Sequence, residues 1–272
     1  METVRHHGRE TAYRVAGAGD ADRGDSGATR SRGGSDAGIL YVHGSGATHR
    51  TWAAQYGPAG PAHPAAALDL SGHGESDDVE TPPGPETLAA YARDVIAVAE
   101  ATGVGVLAGN SLGGAVCLHV AVETAFDPGA LVLAGTGAKL AVSADLRERL
   151  AGDFERAVEF LHGEDRLFHD PDPRTVERSE RAMTAVGQAV TRRDFLTCHE
   201  FDVRDRLDAV DAPTLALVGE HDGLTPPDYH EYLADRTGGE YAEIPDAAHL
   251  AMVERPAAFA ERVRTFLDEH VE

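Results

Sequence analysis

Short apolar segments recur along the chain and alternate with longer amphipathic segments. Each apolar segment is too short for a helix and apolar along most of its length, which is typical of strands buried on both faces. These segments are residues 39–42, 65–70, 104–108, 130–135 and 213–218, with an earlier, more polar strand at 10–16. Strands that alternate with helices predict an α/β fold, with a mostly parallel central sheet and helices on both faces.

The amphipathic segments carry apolar residues at helical spacing. Residues 85–102 place Leu88, Tyr91, Val95 and Val98 on one face of a helix, and residues 250–270 show a similar pattern. Residues 17–38 are instead rich in Gly, Asp, Ser and Arg, and we interpret them as a solvated insertion.

Between residues 139 and 207 the strand pattern is absent. Apolar residues recur there every three or four positions, at Leu146, Leu150, Phe154, Val158 and Leu161. A segment of this length predicts about four helices, since a mean helix has about 11–12 residues.

The most informative motif is Gly109-Asn110-Ser111-Leu112-Gly113, a G-x-S-x-G pattern that follows one apolar segment and precedes a helical one. A strand, a sharp glycine-flanked turn and a helix together are the context of a nucleophile elbow. Without that context, the same five residues would be compatible with an ordinary strand-to-helix turn. The helix dipole favours negative charge developing near Ser111.

A serine is a good nucleophile only when a base removes its proton and an acid orients that base. The segment 213–218 leads to Glu220 and Asp222, and another strand-like segment precedes His249. Glu220 is the alternative to Asp222 as the acid. The alternatives to His249 as the base are His43, His73 and His221.

Four motifs in order resemble the α/β-hydrolase superfamily: His43–Gly46, the D-x-x-G-x-G-x-S loop at 69–76, the elbow, and the downstream acid and histidine. In that superfamily the order is Ser, then Asp or Glu, then His. The resemblance implies a catalytic triad of Ser111, Asp222 and His249. It also implies an oxyanion hole formed by the backbone N–H groups of Leu112 and Ser45, with Gly46 as second choice for the latter.

The same resemblance implies a division of the chain. Residues 1–138 and 208–272 would form the hydrolase core, and residues 139–207 would form a helical cap that shapes the substrate site. Ligands are then expected at the carboxyl ends of the strands.

The residue type at the elbow limits which reactions are expected. Superfamily members that are dehalogenases or epoxide hydrolases use Asp at the elbow, whereas Ser111 suits the hydrolysis of esters, thioesters or lactones. Gly-Asn-Ser-Leu-Gly-Gly also resembles the elbow of carbon–carbon bond hydrolases of the meta-cleavage-product type, although the tryptophan common after their histidine is absent after His249. A hydroxynitrile lyase, a perhydrolase and a catalytically idle binding protein remain alternatives.

Charge sets the expected environment. The chain has 46 acidic residues against 24 Lys and Arg, a formal net charge of -22, and Lys139 is its only lysine. Such a surface repels nucleic acid and anionic membranes. The bias favours a cytoplasmic protein of a salt-loaded cell, where ions screen self-repulsion. The alternative is the composition of a GC-rich genome.

The sequence also lacks the usual signals for a membrane segment, disulfide bonds or a bound metal. No apolar run is long enough to span a membrane, and the N-terminus lacks the apolar core of a signal peptide. The two cysteines, Cys117 and Cys198, do not suggest disulfides, and Cys117 is expected to be a small buried residue. Metal-binding spacings such as C-x-x-C or H-E-x-x-H are absent from the sequence. We therefore expect a small-molecule substrate, no cofactor and no metal, and the sequence leaves the oligomeric state open.

Overall fold

The computed structural model of the protein describes residues 1–16, 38–57 and 64–271. Its strands are β1 (Glu2–His6), β2 (Arg9–Ala16), β3 (Ile39–Val42), β4 (Ala65–Leu68), β5 (Val106–Asn110), β6 (Ala130–Ala134), β7 (Thr214–Gly219) and β8 (Glu240–Ile244). Its α-helices are α1 (Pro85–Thr102), α2 (Leu112–Glu123), α3 (Ala144–Gly152), α4 (Phe154–Leu161), α5 (Pro173–Val186), α6 (Gln188–Glu200), α7 (Pro227–Thr237), α8 (Ala251–Glu254) and α9 (Pro256–His270). The insertion predicted over 17–38 lies outside the described residues, apart from Gly38.

The strands form one sheet in the order β1-β2-β4-β3-β5-β6-β7-β8. The pairs β1–β2 and β2–β4 are antiparallel, and every other neighbouring pair is parallel. The predicted mostly parallel sheet is therefore confirmed. Because parallel strands end at the same edge, the segments after β3, β5, β7 and β8 meet there.

Side-chain alternation along the strands builds a core on each face of the sheet. In β3, Leu40 and Val42 join the core that also contains residues of α1 and α2, whereas Ile39 and Tyr41 join the opposite core with residues of α9. This is the period of two expected for a strand. Trp52 is fully buried in the second core, with its ring 4.8 Å from that of Tyr41, so it is a core residue.

Local signals explain where α1 begins and ends. Pro85 occupies its first turn, where no intrahelical N–H partner is required, and Gly103 ends it in the left-handed region at φ 69°. Its limits coincide with the predicted segment 85–102.

Two local expectations were incomplete. The chain begins with a hairpin in which β1 precedes the predicted early strand, and β1 was missed because Glu2–His6 is mostly polar and exposed. The predicted helix at 250–270 is in fact the two helices α8 and α9, since Pro256 lacks the N–H that would continue the first.

Helices α3–α6 lie between β6 and β7, within residues 139–207, which we call the helical insertion. Its ends meet: Lys139 and Asp202 pair as an isolated bridge, and Lys139 Nζ lies 3.1 Å from an Asp202 carboxylate oxygen. Residues of α6 contact both α1 and α2. The division of the chain into core and cap stays a prediction. None of the described helices is long and apolar enough to cross a membrane.

Candidate active site

Ser111 lies at the turn between β5 and α2, with φ 55° and ψ -117°. A non-glycine residue in this region is strained by about 1–3 kcal/mol, which the surrounding packing must offset. Glycines are required beside it: a Cβ on Gly109 would lie 2.3 Å from the Gly113 carbonyl oxygen, and a Cβ on Gly113 would lie 2.2 Å from the Val42 carbonyl oxygen. The backbone at this position thus has the tight geometry of the predicted elbow.

Hydrogen bonds hold the elbow in place. The Ser111 N–H donates to the Ala134 carbonyl at 3.0 Å, and the Thr136 hydroxyl donates to the Ser111 carbonyl at 2.8 Å. The Asn110 amide donates to the carbonyl oxygens of Ala134 and His249, each at 3.2 Å. Asn110 therefore connects the elbow to the loop that carries His249. Sequence reasoning did not assign a role to Asn110, although it lies inside the motif.

A buried histidine contacts Thr136, the residue whose hydroxyl bonds the Ser111 carbonyl. His230 Nε2 accepts the Thr136 N–H at 2.9 Å, so that nitrogen carries no proton. Burial lowers the pKa of His230 to about 4, and the ring is therefore neutral at ordinary pH. No sequence motif surrounds His230, and its role depends on the contact between α7 and the loop after β6.

Asp222 follows β7 and pairs with His249, which follows β8. The His249 Nδ1–H donates to Asp222 Oδ2 at 2.9 Å, and both residues are almost completely buried. The carboxylate also accepts from the N–H of Leu224 at 2.8 Å, the N–H of Thr225 at 2.9 Å and the hydroxyl of Thr225 at 2.8 Å. Four donors fix its orientation. Thr225 was not predicted, because its position three residues after the acid is a feature of the loop rather than of a motif.

The charge state of Asp222 follows from these neighbours. Burial would raise its pKa, but the adjacent His249 and the hydrogen bonds outweigh burial and hold the pKa below its usual value. Glu220 is half exposed, and its carboxylate accepts from the Asp246 N–H at 3.3 Å. The structure thus brings Asp222, rather than Glu220, to His249.

Ser111 and His249 line the same cavity. Among the described residues, the hydrogen bonds of His249 include the one to Asp222 but none to Ser111 Oγ. Such contacts are commonly loose in unliganded enzymes and tighten in the complex. The catalytic roles of Ser111, Asp222 and His249 stay predictions.

The predicted oxyanion loop follows β3. Ser45 lines the cavity, and neither its N–H nor that of Leu112 donates to an acceptor among the described residues. The N–H of Gly46, by contrast, donates to Asp194 Oδ2 at 3.0 Å. This arrangement favours Ser45 over Gly46 as the second donor. His43 is structural: its Nε2 accepts the Leu70 N–H, its Nδ1 donates to the Gly44 carbonyl, and burial lowers its pKa to about 4.

Asp194 of α6 is the centre of a buried group that joins the helical insertion to the core. We call Gly46, His73, Tyr91 and Asp194 the Asp194 cluster. Besides the Gly46 N–H, its carboxylate accepts from His73 Nε2 at 2.9 Å and from the Tyr91 hydroxyl at 2.7 Å. His73 Nδ1 donates to the Ser71 carbonyl at 3.2 Å. No sequence signal indicated Asp194, since a single carboxylate in a charged helix is usually solvated.

The cluster holds an ion pair. Burial would lower the pKa of His73, but the Asp194 carboxylate outweighs burial and raises it. Burial would raise the pKa of Asp194, but His73 outweighs burial and lowers it. Both ring nitrogens of His73 face oxygen acceptors, the Asp194 carboxylate and the Ser71 carbonyl, so the ring can donate from each nitrogen and serves structure, as expected for this residue.

The cavity has a volume of about 980 Å³ and lies between the strand ends and the helical insertion. Apolar side chains of the insertion line it, among them Leu146, Phe160, Met183 and Phe195. Sites for small molecules typically have volumes of about 300–1,000 Å³ with mostly apolar walls and few polar groups. Its size and wall suit a small ester or a comparable ligand.

Comparison with known proteins establishes the family. The sequence model of the Alpha/beta hydrolase family matches residues 39–262. The chain belongs to this family. The predicted superfamily, fold and hydrolase class are therefore confirmed.

Relatives of this alpha/beta hydrolase include two curated enzymes. The pimeloyl-acyl-carrier-protein methyl ester esterase of Neisseria meningitidis is 28% identical over 246 residues, which are 85% of this chain and 92% of that protein. The 3-oxoadipate enol-lactonase 1 of Acinetobacter baylyi is 23% identical over 233 residues, 82% of this chain and 85% of that protein. A solved structure of a thermophilic esterase is similar, with a TM-score of 0.81 and 27% identity over 99% of this chain and 98% of that one.

Groups of possible metal ligands in this alpha/beta hydrolase lie outside the predicted triad. Ligand atoms within 4.8 Å of one another occur, among the described residues, in three sets: Asp165, His169 and His221; Glu220, His221 and Asp246; and Glu240, Glu269 and His270. All are half buried or exposed. His221 stacks on His169, with ring centroids 3.6 Å apart, so it faces this surface rather than Ser111.

Proposed function

We propose that this alpha/beta hydrolase cleaves small carboxylic esters, including thioesters and lactones, through an acyl-enzyme on Ser111. The observation that supports this most directly is the shared cavity of Ser111 and His249, with Asp222 bonded to His249 at 2.9 Å. A nucleophile on a strained turn, a histidine and a buried ionised acid are the three parts that acyl transfer requires.

In the proposed mechanism, Ser111 Oγ attacks the substrate carbonyl while His249 Nε2 accepts the serine proton. Asp222 holds the ring with Nδ1 protonated and stabilises the imidazolium that forms. His249 then gives the proton to the leaving alkoxide, and the acyl group stays on Ser111. Water activated by the same histidine releases the acid and restores the hydroxyl.

The oxyanion of each tetrahedral intermediate requires preorganised donors. We assign the N–H groups of Leu112 and Ser45 to this role, because neither has an acceptor among the described residues. Removing one such donor typically costs about 3 kcal/mol of transition-state stabilisation.

The relatives favour ester and lactone carbonyls over other bonds. The two curated relatives are named as a methyl ester esterase and an enol-lactonase. Carbon–carbon bond hydrolysis of the meta-cleavage-product type stays the alternative, because the Gly-Asn-Ser-Leu-Gly-Gly sequence is compatible with it. A catalytically idle binding protein is the second alternative, and it would leave the acid, the histidine and the elbow serine without a use.

We further propose that the helical insertion is a cap that selects the substrate. Its apolar residues line the cavity opposite the strand ends, where an acyl or alcohol chain would lie. We also propose a cytoplasmic location in a salt-loaded cell, on the basis of the net charge of -22.

The test combines labelling with substrate profiling in buffers of high KCl concentration. A fluorophosphonate probe should modify the protein, and mass spectrometry should place the adduct on Ser111, with the Ser111→Ala variant as the control. p-Nitrophenyl esters of varied chain length should be hydrolysed, and a vinylogous diketone should not. An adduct on Ser45 or Ser71, or an active protein without any adduct, would overturn the assignment, and cleavage of the diketone alone would favour the carbon–carbon alternative.

A further inference from the structure

The charge of the cavity wall is opposite to that of the protein. Acidic residues outnumber Lys and Arg by 46 to 24 in the chain, yet the described cavity wall contains four arginines and no aspartate or glutamate. The arginines are Arg50, Arg166, Arg178 and Arg181. A wall chosen at random from this surface would carry more acids than bases, so the reversal indicates a specific requirement at this site.

Most of these arginines form no ion pair with the described residues. Arg166 is half buried, donates from Nη1 to the Phe160 carbonyl, and stacks over the Phe160 ring with its guanidinium carbon 3.5 Å from the centroid. Arg178 donates to the Thr175 hydroxyl at 3.0 Å. Arg181 pairs with Glu177 on the exposed side of α5. Arginines elsewhere are often neutralised, as Arg193 is by Asp78 and Arg9 by Asp94.

A guanidinium that is partly removed from water without a counter-ion is costly, and an anionic ligand would offset that cost. The position of Arg166 links this charge to the predicted catalytic histidine. Its backbone carbonyl accepts the His249 N–H at 3.2 Å, while its side chain lines the cavity. The rim arginines Arg50, Arg178 and Arg181 are exposed. Arg50 and Arg178 form no ion pair with the described residues and would attract an anion entering from solvent, whereas Arg181 already shares its charge with Glu177 and adds less.

We infer that the substrate is an anionic ester or lactone, with a carboxylate that binds Arg166 and the rim arginines while its ester carbonyl lies at Ser111. This inference rests on the proposed function. The apolar residues Val142, Leu146 and Leu250 also line the cavity and suit a short methylene chain between the two groups. A small acid fits better than an acidic carrier protein, because the net charge of -22 repels a large anionic partner over its whole surface.

Matched substrates test the charge. The p-nitrophenyl half-esters of glutaric and adipic acid carry a free carboxylate, and the corresponding p-nitrophenyl methyl diesters are neutral and of nearly the same size. We expect kcat/KM to be about ten- to hundredfold higher for the half-esters, mainly through KM, since a hydrogen bond to a charged group contributes about 1.5–3 kcal/mol. The part of the preference for half-esters over diesters that comes from the exposed rim arginines should decrease as KCl is raised, because exposed charges are screened.

Matched variants test the residues. Arg166→Gln and the triple variant Arg50→Gln, Arg178→Gln, Arg181→Gln should each reduce the ratio of kcat/KM for half-ester over diester. The triple variant leaves Arg166 intact, so the test holds even if Arg166→Gln fails to fold. The control is the triple variant Arg5→Gln, Arg93→Gln, Arg262→Gln, which makes the same change in net charge at exposed positions away from the cavity and should keep the wild-type ratio.

Binding to the Ser111→Ala protein separates this inference from the proposed function. Calorimetry should show tighter binding of glutarate or adipate monomethyl ester than of the dimethyl ester. The difference should be lost when the triple variant of the rim arginines is made in the Ser111→Ala protein. That result would support the anion site even if hydrolysis failed. Equal turnover and equal binding of charged and neutral ligands would overturn the inference while the proposed function stands, and hydrolysis only of a carrier-protein-linked ester would overturn it in favour of a protein partner.

Discussion

Two of the buried histidine–aspartate pairs in the described part of the chain, His249–Asp222 and His73–Asp194, have the same nitrogen–oxygen distance of 2.9 Å. His249 bonds Asp222 through Nδ1, while its Nε2 has no partner among the described residues and its ring lines the cavity. His73 bonds Asp194 through Nε2 and the Ser71 carbonyl through Nδ1. The first ring has a nitrogen available to exchange a proton, and the second has none.

The difference teaches that a histidine–carboxylate distance does not by itself identify a catalytic pair. A base must be able to accept and release a proton, which requires an open nitrogen in contact with substrate. A ring whose two nitrogens both donate hydrogen bonds has no free nitrogen for a substrate proton, and it stabilises structure instead. The comparison predicts that changes at His249 affect the rate, whereas changes at the Asp194 cluster affect stability.

The largest expected effect is on the rate at His249. His249→Gln should lower kcat for a p-nitrophenyl ester by about 10⁴-fold or more, because the base is lost while the fold is kept. Steady-state kinetics and thermal unfolding measure the two effects on the same sample. His221→Gln, which changes a half-exposed histidine beside the acid, is the control and should keep its rate; a His249→Gln variant with most of its kcat would contradict the assignment.

The next effect is on stability at Asp194. Asp194→Asn leaves the buried His73 cation without its counter-ion and weakens the contact to the Gly46 N–H. Losing one partner of a buried pair costs about 3–5 kcal/mol, or roughly 10 °C in Tm for a chain of this size. Calorimetry or circular dichroism on heating measures it.

A matched control for that variant lies in the same helical insertion. Asp145 pairs with Arg149 at 2.9 Å, but on an exposed surface. Asp145→Asn should change the unfolding free energy by less than about 0.5 kcal/mol. Equal losses from the two variants would mean that the Asp194 cluster does not join the insertion to the core.

The pH dependence of stability sharpens the comparison further. The pKa of His73 is raised above its ordinary value of 6.5. The contribution of His73 to the free energy of unfolding is therefore complete below pH 6.5 and is lost as pH rises through the raised pKa. The pKa of Asp194 is lowered below 3.8, so its contribution is complete above that value and is lost as pH falls through the lowered pKa. The pair should therefore stabilise the fold most between pH 3.8 and 6.5.

Denaturant unfolding of the wild type and His73→Gln at a series of pH values measures this window. The difference in unfolding free energy should be largest between the two ordinary pKa values and should decrease as the solution becomes alkaline. A difference that stays constant from mildly acidic to alkaline pH would show that His73 does not carry charge in the folded protein.

The smallest expected effect is that of salt. Salt distinguishes the exposed charges, which it screens, from the two buried histidine–aspartate pairs, which it screens little. Raising KCl from about 0.1 M to about 1 M shortens the Debye length from about 10 Å to about 3 Å and should raise Tm by reducing surface self-repulsion. The lower Tm of Asp194→Asn relative to the wild type should persist at high salt, because a buried ion pair is screened little. A wild-type Tm that stays flat up to about 3 M KCl would assign the acidic bias to genome composition.

Much of the fold could be predicted because its signals are local. Gly109 and Gly113 are required by backbone contacts at the elbow, and the apolar segments of β3–β7 are short and nearly uninterrupted, as buried parallel strands are. Strand β1 and the break before Pro256 were missed, because the first is a polar edge strand and the second interrupts an otherwise regular helical pattern.

The sequence by itself determined the family, the order of serine, acid and histidine, and the excess of negative charge. Only the tertiary structure decided that Asp222 rather than Glu220 meets His249, that Gly46 donates to Asp194, and that four arginines gather around one cavity. The physical reason is distance along the chain. Residues within one turn leave a motif in the sequence, whereas His73 and Asp194 are 121 positions apart and meet only because a helix of the insertion packs against the core.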